Sequence, residues 1–485
     1  MSILLLAAGF GATLHPFWPL LLYYFLAVLR PSFLWYWALP HGVPWSMMAA
    51  GLVGISLLVY GSRVARRVDL NLPTVLLAFI AFWLVVANMT AVDPGASWRW
   101  AEPVLKIVAA ALVATLVIDR VEHVRLVAIS VFVALGYIAW YINSLYYFDG
   151  RLDVLHDGFG GFDNNGAALM VASGIPFAFA VWRMPRQHWG LKLLGWAAVP
   201  ASVMMLHALM LTYSRGAMLA CLAGLGWLAI WHRPRSQALL AMAGLAVCVA
   251  VLAGPEVRSR FSSVAAYRDD ASALQRIESW NAGWRMVWQR PFTGFGSRGT
   301  MPYLQAYAED TTTPVVHNQY LQFASDGGVP LALAFAALLV VAMLRFRSAG
   351  RACRAVAADE PLRPGGAAAG SGGSAGMSDW PWDRLGEPEP KRVRAWARSD
   401  ADLWLALESV LITLAIGGLF LSIEAFELLW MLLGLGCVAA RVSMSRQAAE
   451  LAEPAVEAST EPPAKRPSGR PPVKPTLVPA SPSPT

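Results

Sequence analysis

Apolar runs alternate with short polar or basic connections along most of the chain, at about 2 to 29, 44 to 60, 73 to 91, 101 to 118, 124 to 146, 165 to 182, 192 to 212, 215 to 231, 236 to 253, 328 to 345, 403 to 421 and 425 to 441. Because roughly 20 apolar residues span the hydrocarbon of a bilayer, this pattern predicts about twelve crossings. His15-Pro16 interrupts the first run. A proline removes a helix hydrogen bond, so that run reads either as one kinked helix or as two short ones, which makes thirteen. The expected fold class is all-α, a polytopic helical membrane protein. One long polar segment, 254–328, lies between the ninth and tenth runs, and a periodic stretch inside it predicts an interfacial helix.

Composition agrees with the pattern. The chain is 57% hydrophobic and 14% charged, with 21 tryptophans, and its mean hydropathy is +0.49. That is more apolar surface than a soluble core of this length can hide. The net charge of +7 does not point to nucleic acid, because Lys and Arg sit in short clusters between apolar runs. Arg63, Arg66 and Arg67, then Arg120 and Arg125, then Arg183, Arg186 and Lys192, then Arg233 and Arg235 fall in alternate connections, which are expected to be cytoplasmic. The remaining connections face outward, including Val92 to Trp100, Asp149 to Asn165, the tight turn Tyr213-Ser214-Arg215-Gly216 and the 254–328 loop. The N-terminus lacks a basic leader region and reads as a retained membrane segment. Cys221, Cys248, Cys353 and Cys437 form no CxxC pair, so neither a disulfide framework nor a thiolate metal site is expected.

These features divide the chain into N-terminal membrane helices (1–253), an outward catalytic loop (254–328), a membrane helix (329–345), a flexible cytoplasmic insert (346–402), a C-terminal helix pair (403–441) and a disordered cytoplasmic tail (442–485). The insert is centred on a Gly/Ala/Ser stretch that cannot offset its ordering entropy, and the tail is rich in Pro, Ala and Glu.

Candidate chemistry gathers on the outward side. His317 precedes an apolar helix beside Asn318 and Tyr320, and an imidazole can take a proton from a hydroxyl near neutral pH. Arg215 sits in a tight turn on the side where positive charge runs against the orientation rule, and a guanidinium at headgroup depth suits a diphosphate. Within Leu274 to Gln289, Leu274, Ile277, Trp280, Trp284, Val287 and Trp288 form one helical stripe flanked by Arg276 and Arg285. Such a helix is expected to lie along the membrane interface, with its arginines either snorkelling to lipid phosphates or binding substrate. The glycine-rich turn from Pro291 to Gly299 offers backbone N–H groups that would cradle a phosphate, or is plain turn geometry. Lys106, inside an apolar run, is costly unless paired or used. Glu408, toward the other side, reads as structural. No outward carboxylate pair suits a divalent ion, and few charges lie in mid-membrane, which disfavours metal-dependent transferases and transporters.

Thr212-Tyr213-Ser214-Arg215-Gly216-Ala217, Arg276-x-x-x-Trp280 followed by Arg290-Pro291-Phe292-x-Gly294-x-Gly296, and His317-Asn318-x-Tyr320-Leu321 with Gly327-Gly328 together resemble the O-antigen ligase family. Asp163-Asn164-Asn165 is similar to the Asp-Asn-Asn of ligases in the exosortase-associated branch. Asp326 stands where the family has Glu. The resemblance implies metal-independent glycosyl transfer, without a cofactor, at the periplasmic face of the bacterial inner membrane. The donor would be a glycan on undecaprenyl diphosphate and the acceptor a hydroxyl on lipid A core, a polysaccharide or a protein. His317 would be the general base, and Arg215 and Arg276 would hold the diphosphate. Asn318, Tyr320, Lys106, Asn164, Asn165 and Arg285 would be secondary. A polymerase sharing donor and loop is the alternative, and a lipid-linked glycan transporter is a weaker one.

Overall fold

The computed structural model describes residues 1–40, 42–65, 68–252, 271–299, 315–358 and 390–460. Sixteen helices account for their regular structure: α1 Ser2–Leu14, α2 Phe17–Leu29, α3 Pro31–Leu34, α4 Trp45–Ala65, α5 Leu72–Met89, α6 Pro94–Val117, α7 Val121–Asp149, α8 Asp153–His156, α9 Asn164–Arg183, α10 Trp189–Leu211, α11 Arg215–Trp231, α12 Arg235–Leu252, α13 Ala271–Gln289, α14 Gln319–Ala358, α15 Pro390–Gly417 and α16 Glu427–Thr460. Among the described residues there is no strand, only an isolated bridge between Phe159 and Phe162. Among the described residues six helices are long and apolar enough to cross a membrane: α5, α6, α7, α9, α10 and α14. Several shorter apolar helices accompany them.

The first apolar run is two helices, not one kinked helix. Each has 13 residues, about 20 Å at 1.5 Å per residue, so neither alone spans the hydrocarbon. They meet at His15-Pro16, where the His15 ring accepts from Phe17 N at 3.1 Å. Ser56 and Tyr60 of α4 bond the last carbonyls of α1, which carries its end on that helix.

α9 is the most buried of these six, with 83% of its apolar window buried, and packs against α7, α10, α11 and α15. Leu58 and Val59 of α4, Trp196 of α10 and Leu239 and Leu240 of α12 are exposed, as lipid-facing apolar side chains are where no water competes.

Two ends of the bundle carry the polar contacts. At one, α15 is tied to its neighbours by ion pairs. Arg125 donates from Nε and Nη2 to the two carboxylate oxygens of Asp400 at 2.7 Å each, and Arg183 Nε reaches Asp402 at 2.7 Å. The His232 ring shares Asp402 at 3.2 Å. Farther along α15, Trp227 Nε1 donates to Glu408 at 2.8 Å. A buried carboxylate is tolerable when paired bidentately in this way. The other end, about 25 Å along α15, holds the candidate site.

The segment expected as a flexible insert is helical at both borders, because α14 continues to Ala358 and α15 starts at Pro390. Ala349, Gly350, Cys353 and Ala357 are buried, as are Ala397, Ala401 and Trp404. Gly350 lies against Trp404 and Ala401. Small residues thus keep the two helices packed beyond their apolar runs. α16 likewise runs to Thr460. The glycine-rich centre of the insert, the tail beyond 460, and 254–270 and 300–314 of the polar loop lie outside the described residues.

Candidate functional site

Three helix N-termini share the end opposite the ion pairs, each capped by its own sequence. Asp163 accepts from Gly166 N at 2.7 Å to open α9, Ser214 caps α11 through Ala217 N at 3.5 Å, and Asn318 Oδ1 accepts from Tyr320 N and Leu321 N at 3.0 Å each to open α14. The caps are tied together. Ser214 Oγ donates to Asn165 Oδ1 at 2.7 Å, and Asn164 Nδ2 donates to Thr212 O at 3.1 Å. Asn164 and Asn165 therefore brace the turn that presents Arg215. Helix N-termini carry partial positive charge, so a cluster of them favours an anion.

Arg215 is the first residue of α11, where a cation is locally unfavourable by about 0.3–1 kcal/mol. A local conflict of this kind is expected at functional positions. Gly216 beside it packs on Phe420. Two residues earlier in that turn, Gly418 O accepts from Gln319 N at 2.7 Å, next to His317 and Asn318. The turn at 418–420 thus borders both Arg215 and the His317 segment.

His317 has φ 51°, and among the described residues the other non-glycine positive-φ positions are Arg30, Tyr213 and Arg298. All four belong to this end. Such conformations cost about 1–3 kcal/mol and cluster where function requires them. The imidazole is half-buried. Burial, then the charges of Arg276 and, less, Arg298 hold its pKa below the ordinary 6.5, while Asp163 pulls the other way. It is neutral at pH 7 and able to accept a proton.

α13 brings Arg276 to this imidazole. Ala282 and Met286 pack with Phe295 and Val316, and Trp280 and Leu321 lie against that cluster; the Cα of Gly283 approaches Leu321 where a larger side chain would press on it. Arg276 shares the face of Ser279, Gly283 and Met286. Arg285 is on the exposed side. The expected apolar stripe is split: Leu274, Ile277, Trp284 and Trp288 are exposed, whereas Val287 is buried and Trp280 turns toward the His317 segment. A helix packed by small residues on one side and left apolar on the other has two faces to satisfy, which a single-stripe reading does not resolve.

The glycine-rich turn is not a phosphate cradle. Phe295 N and Gly296 N donate to Ser325 O and Asp326 O at 2.9 and 2.8 Å, Ser297 N to Asn88 Oδ1 at 3.0 Å and Arg298 N to Asp326 Oδ2 at 2.9 Å. The amides are spent internally. Glycine is required because a Cβ at Gly294 would strike the Asp326 carbonyl. Lys106 pairs with Glu102 one turn back at 2.6 Å on an exposed flank of α6, which accounts for its charge. Tyr320 donates to Ala415 O at 2.9 Å, so it and Asn318 position the helix that follows His317.

Sequence reasoning missed Arg298 and its partners. Arg298 binds Glu424 through Nε at 2.6 Å and Nη2 at 2.5 Å and lies 5.4 Å from the centre of the Trp100 ring. Gln322 donates to Asp326 at 2.9 Å, and Gln319 Oε1 accepts from Ile423 N at 2.5 Å. Glu424, an acid in the short gap between two apolar runs, was the available signal. At Gly328 (φ 78°) α14 breaks. Trp83 Nε1 takes the Gly327 carbonyl at 2.7 Å and Val329 N takes Pro291 O at 2.7 Å, so the break is fully bonded.

Residues 200–336, which include Arg215, Arg276 and His317, match the family model described as O-antigen ligase. This stretch is similar to the O-antigen ligase family. No curated protein matches it. The similarity supports glycosyl transfer of the O-antigen ligase or polymerase type in broad terms, with a lipid-linked glycan donor and an acceptor, and the apolar helices support a multi-pass membrane protein. Asp163–Asn165 and the 418–427 turn lie outside the matched stretch and are joined to it by the hydrogen bonds above.

Proposed function

We propose that this chain transfers a glycan from undecaprenyl diphosphate to an acceptor hydroxyl at the periplasmic face of the bacterial inner membrane, as its similarity to the O-antigen ligase family suggests. The observation that carries the proposal is the placement of His317, held at φ 51° just before α14 within electrostatic reach of Arg276, at the end of the bundle where Arg215 opens α11. His317 takes the proton of the acceptor hydroxyl as its oxygen attacks the anomeric carbon from the side opposite the diphosphate. The bond to the diphosphate oxygen breaks, and the anomeric centre inverts. Arg215, Arg276 and the N-terminus of α11 stabilise the charge that develops on the leaving diphosphate. This chemistry moves one proton and needs no metal ion.

The test is transfer by the purified chain in liposomes with a prenyl-diphosphate glycan and, in separate arms, lipid A core, a glycan chain or a protein as acceptor. Glycan is expected on one acceptor, with prenyl diphosphate released, and EDTA leaves the rate unchanged. A glycan acceptor alone working would make the protein a polymerase. Donor left intact in every arm overturns the proposal, and loss in EDTA restored by Mg²⁺ or Mn²⁺ returns a metal-dependent mechanism.

The orientation rests on Arg125, Arg183, Arg233 and Arg347 at the end away from His317, since basic residues are retained on the cytoplasmic side. With the native cysteines replaced by serine, cysteines introduced at the exposed positions Arg285 and Arg351 are expected to react with an impermeant thiol reagent from opposite sides. Labelling from the same side contradicts the assignment.

A further inference from the structure

At the end of the bundle that holds His317, a half-open cavity of about 290 Å³ lies between α7, α8 and the rim 158–161. Its walls are of two kinds. Phe33, Tyr141 and Phe159 supply ring faces, and Arg151, Asp153 and Asp157 supply charge. The Tyr141 and Phe159 rings stand 6.4 Å apart at 60°, forming a corner, and the Tyr141 hydroxyl is within electrostatic reach of Asp153 and Arg151.

The rim is held in place before any ligand arrives. Gly158, Gly160 and Gly161 adopt φ of 69°, 64° and 85°, and Phe159 and Phe162 exchange backbone hydrogen bonds of 3.0 Å. Arg30 clamps this loop from behind. It donates to the Gly160 carbonyl, lies 3.8 Å from the centre of the Phe162 ring and pairs with Glu427 at 2.9 Å. Phe162 in turn stacks on Phe426 at 4.2 Å.

The cavity is continuous with the candidate site through the chain itself. Its rim leads in two residues to Asp163, whose charge acts on His317. Leu211 on its wall is four residues from Arg215.

We propose that this cavity is a sugar subsite that holds one neutral sugar unit of either the donor or the acceptor glycan. A pyranose presents an apolar C–H face and a ring of hydroxyls, which match aromatic walls on one side and carboxylates with a guanidinium on the other. The volume sits at the low end for small-ligand pockets, which suits one unit and not a polymer. Arg151 is already bonded to Asp153 at 2.5 Å, so Asp157 leaves the mouth net negative and disfavours a phosphate or an acidic sugar. A lipid tail would desolvate the Asp157 carboxylate without offering it a hydrogen bond.

The inference rests on the transferase reading, and its test separates the two. The full chain in nanodiscs is examined by saturation-transfer NMR with N-acetylglucosamine, galactose and mannose as probes. At least one is expected to bind saturably, and Asp157→Asn and the cavity-filling Leu145→Trp to weaken it about tenfold, the worth of one charged hydrogen bond. In the transfer assay the same variants raise KM about tenfold and leave kcat within about twofold, as loss of uniform binding does. A shift in donor KM assigns the sugar to the donor, and a shift in acceptor KM to the acceptor. Saturable binding that the variants abolish, without transfer by the unaltered protein, upholds the subsite and sinks the transferase reading. Absence of binding by all three probes, or unchanged binding and KM in both variants, overturns the subsite.

Discussion

Replacing His317 by alanine lowers the turnover of glycan transfer by about 10²- to 10⁴-fold, the usual worth of a general base, with donor binding nearly intact. The reason is positional as well as chemical. The imidazole is held in a left-handed backbone conformation at the head of α14 by the Asn318 cap, the Tyr320 anchor and the Gln319 contacts to Gly418 and Ile423, none of which the substitution removes. Turnover in the unaltered protein is expected to fall as pH drops through the His317 pKa, which burial and Arg276 place below 6.5. Protonation removes the lone pair that accepts the hydroxyl proton, so activity is lost on the acid side and retained above. Transfer by His317→Ala at near the unaltered rate, or a rate that rises on acidification, excludes it as the base.

The helices were legible because period and length are local properties: α5, α7, α9 and α10 start and stop within a few residues of the apolar runs. His317 and Arg215 drew notice because each breaks a local expectation of charge or polarity, Arg276 because it flanks the apolar stripe, and Asp163-Asn164-Asn165 only through the resemblance. What could not be read was pairing across long separations. Arg298 and Glu424 are 126 residues apart and Arg30 and Glu427 are 397 apart, so neither alone indicates the other. The glycine-rich turn stayed open between a cradle and plain turn geometry for the same reason. Its amides look free along the sequence, and only the approach of Ser325, Asp326 and Asn88 uses them. The helical borders of the insert escaped notice because small residues such as Ala349 and Gly350 look flexible until a facing helix buries them.

Arg215→Lys and Arg276→Lys are each expected to lower transfer by about 10- to 100-fold, because lysine keeps the charge and loses the planar fork that grips two phosphate oxygens, one charged hydrogen bond of about 1.5–3 kcal/mol. An arginine that only anchors the chain to lipid headgroups would tolerate the exchange, and Arg285→Lys, on the exposed flank of α13, is the control expected to retain full activity. The pH profile tests the role of Arg276. Arg276 depresses the His317 pKa by its charge, so Arg276→Lys keeps the acid limb in place, whereas Arg276→Gln raises the folded-state pKa and moves the limb to higher pH. Arg215→Gln loses both the charge and the planar fork and is expected to weaken donor binding. The measurement is donor affinity and transfer rate across pH for the five variants at matched membrane expression. Full activity in both Arg215→Lys and Arg276→Lys removes the diphosphate clamp, and an unmoved limb in Arg276→Gln removes the electrostatic coupling between α13 and the base.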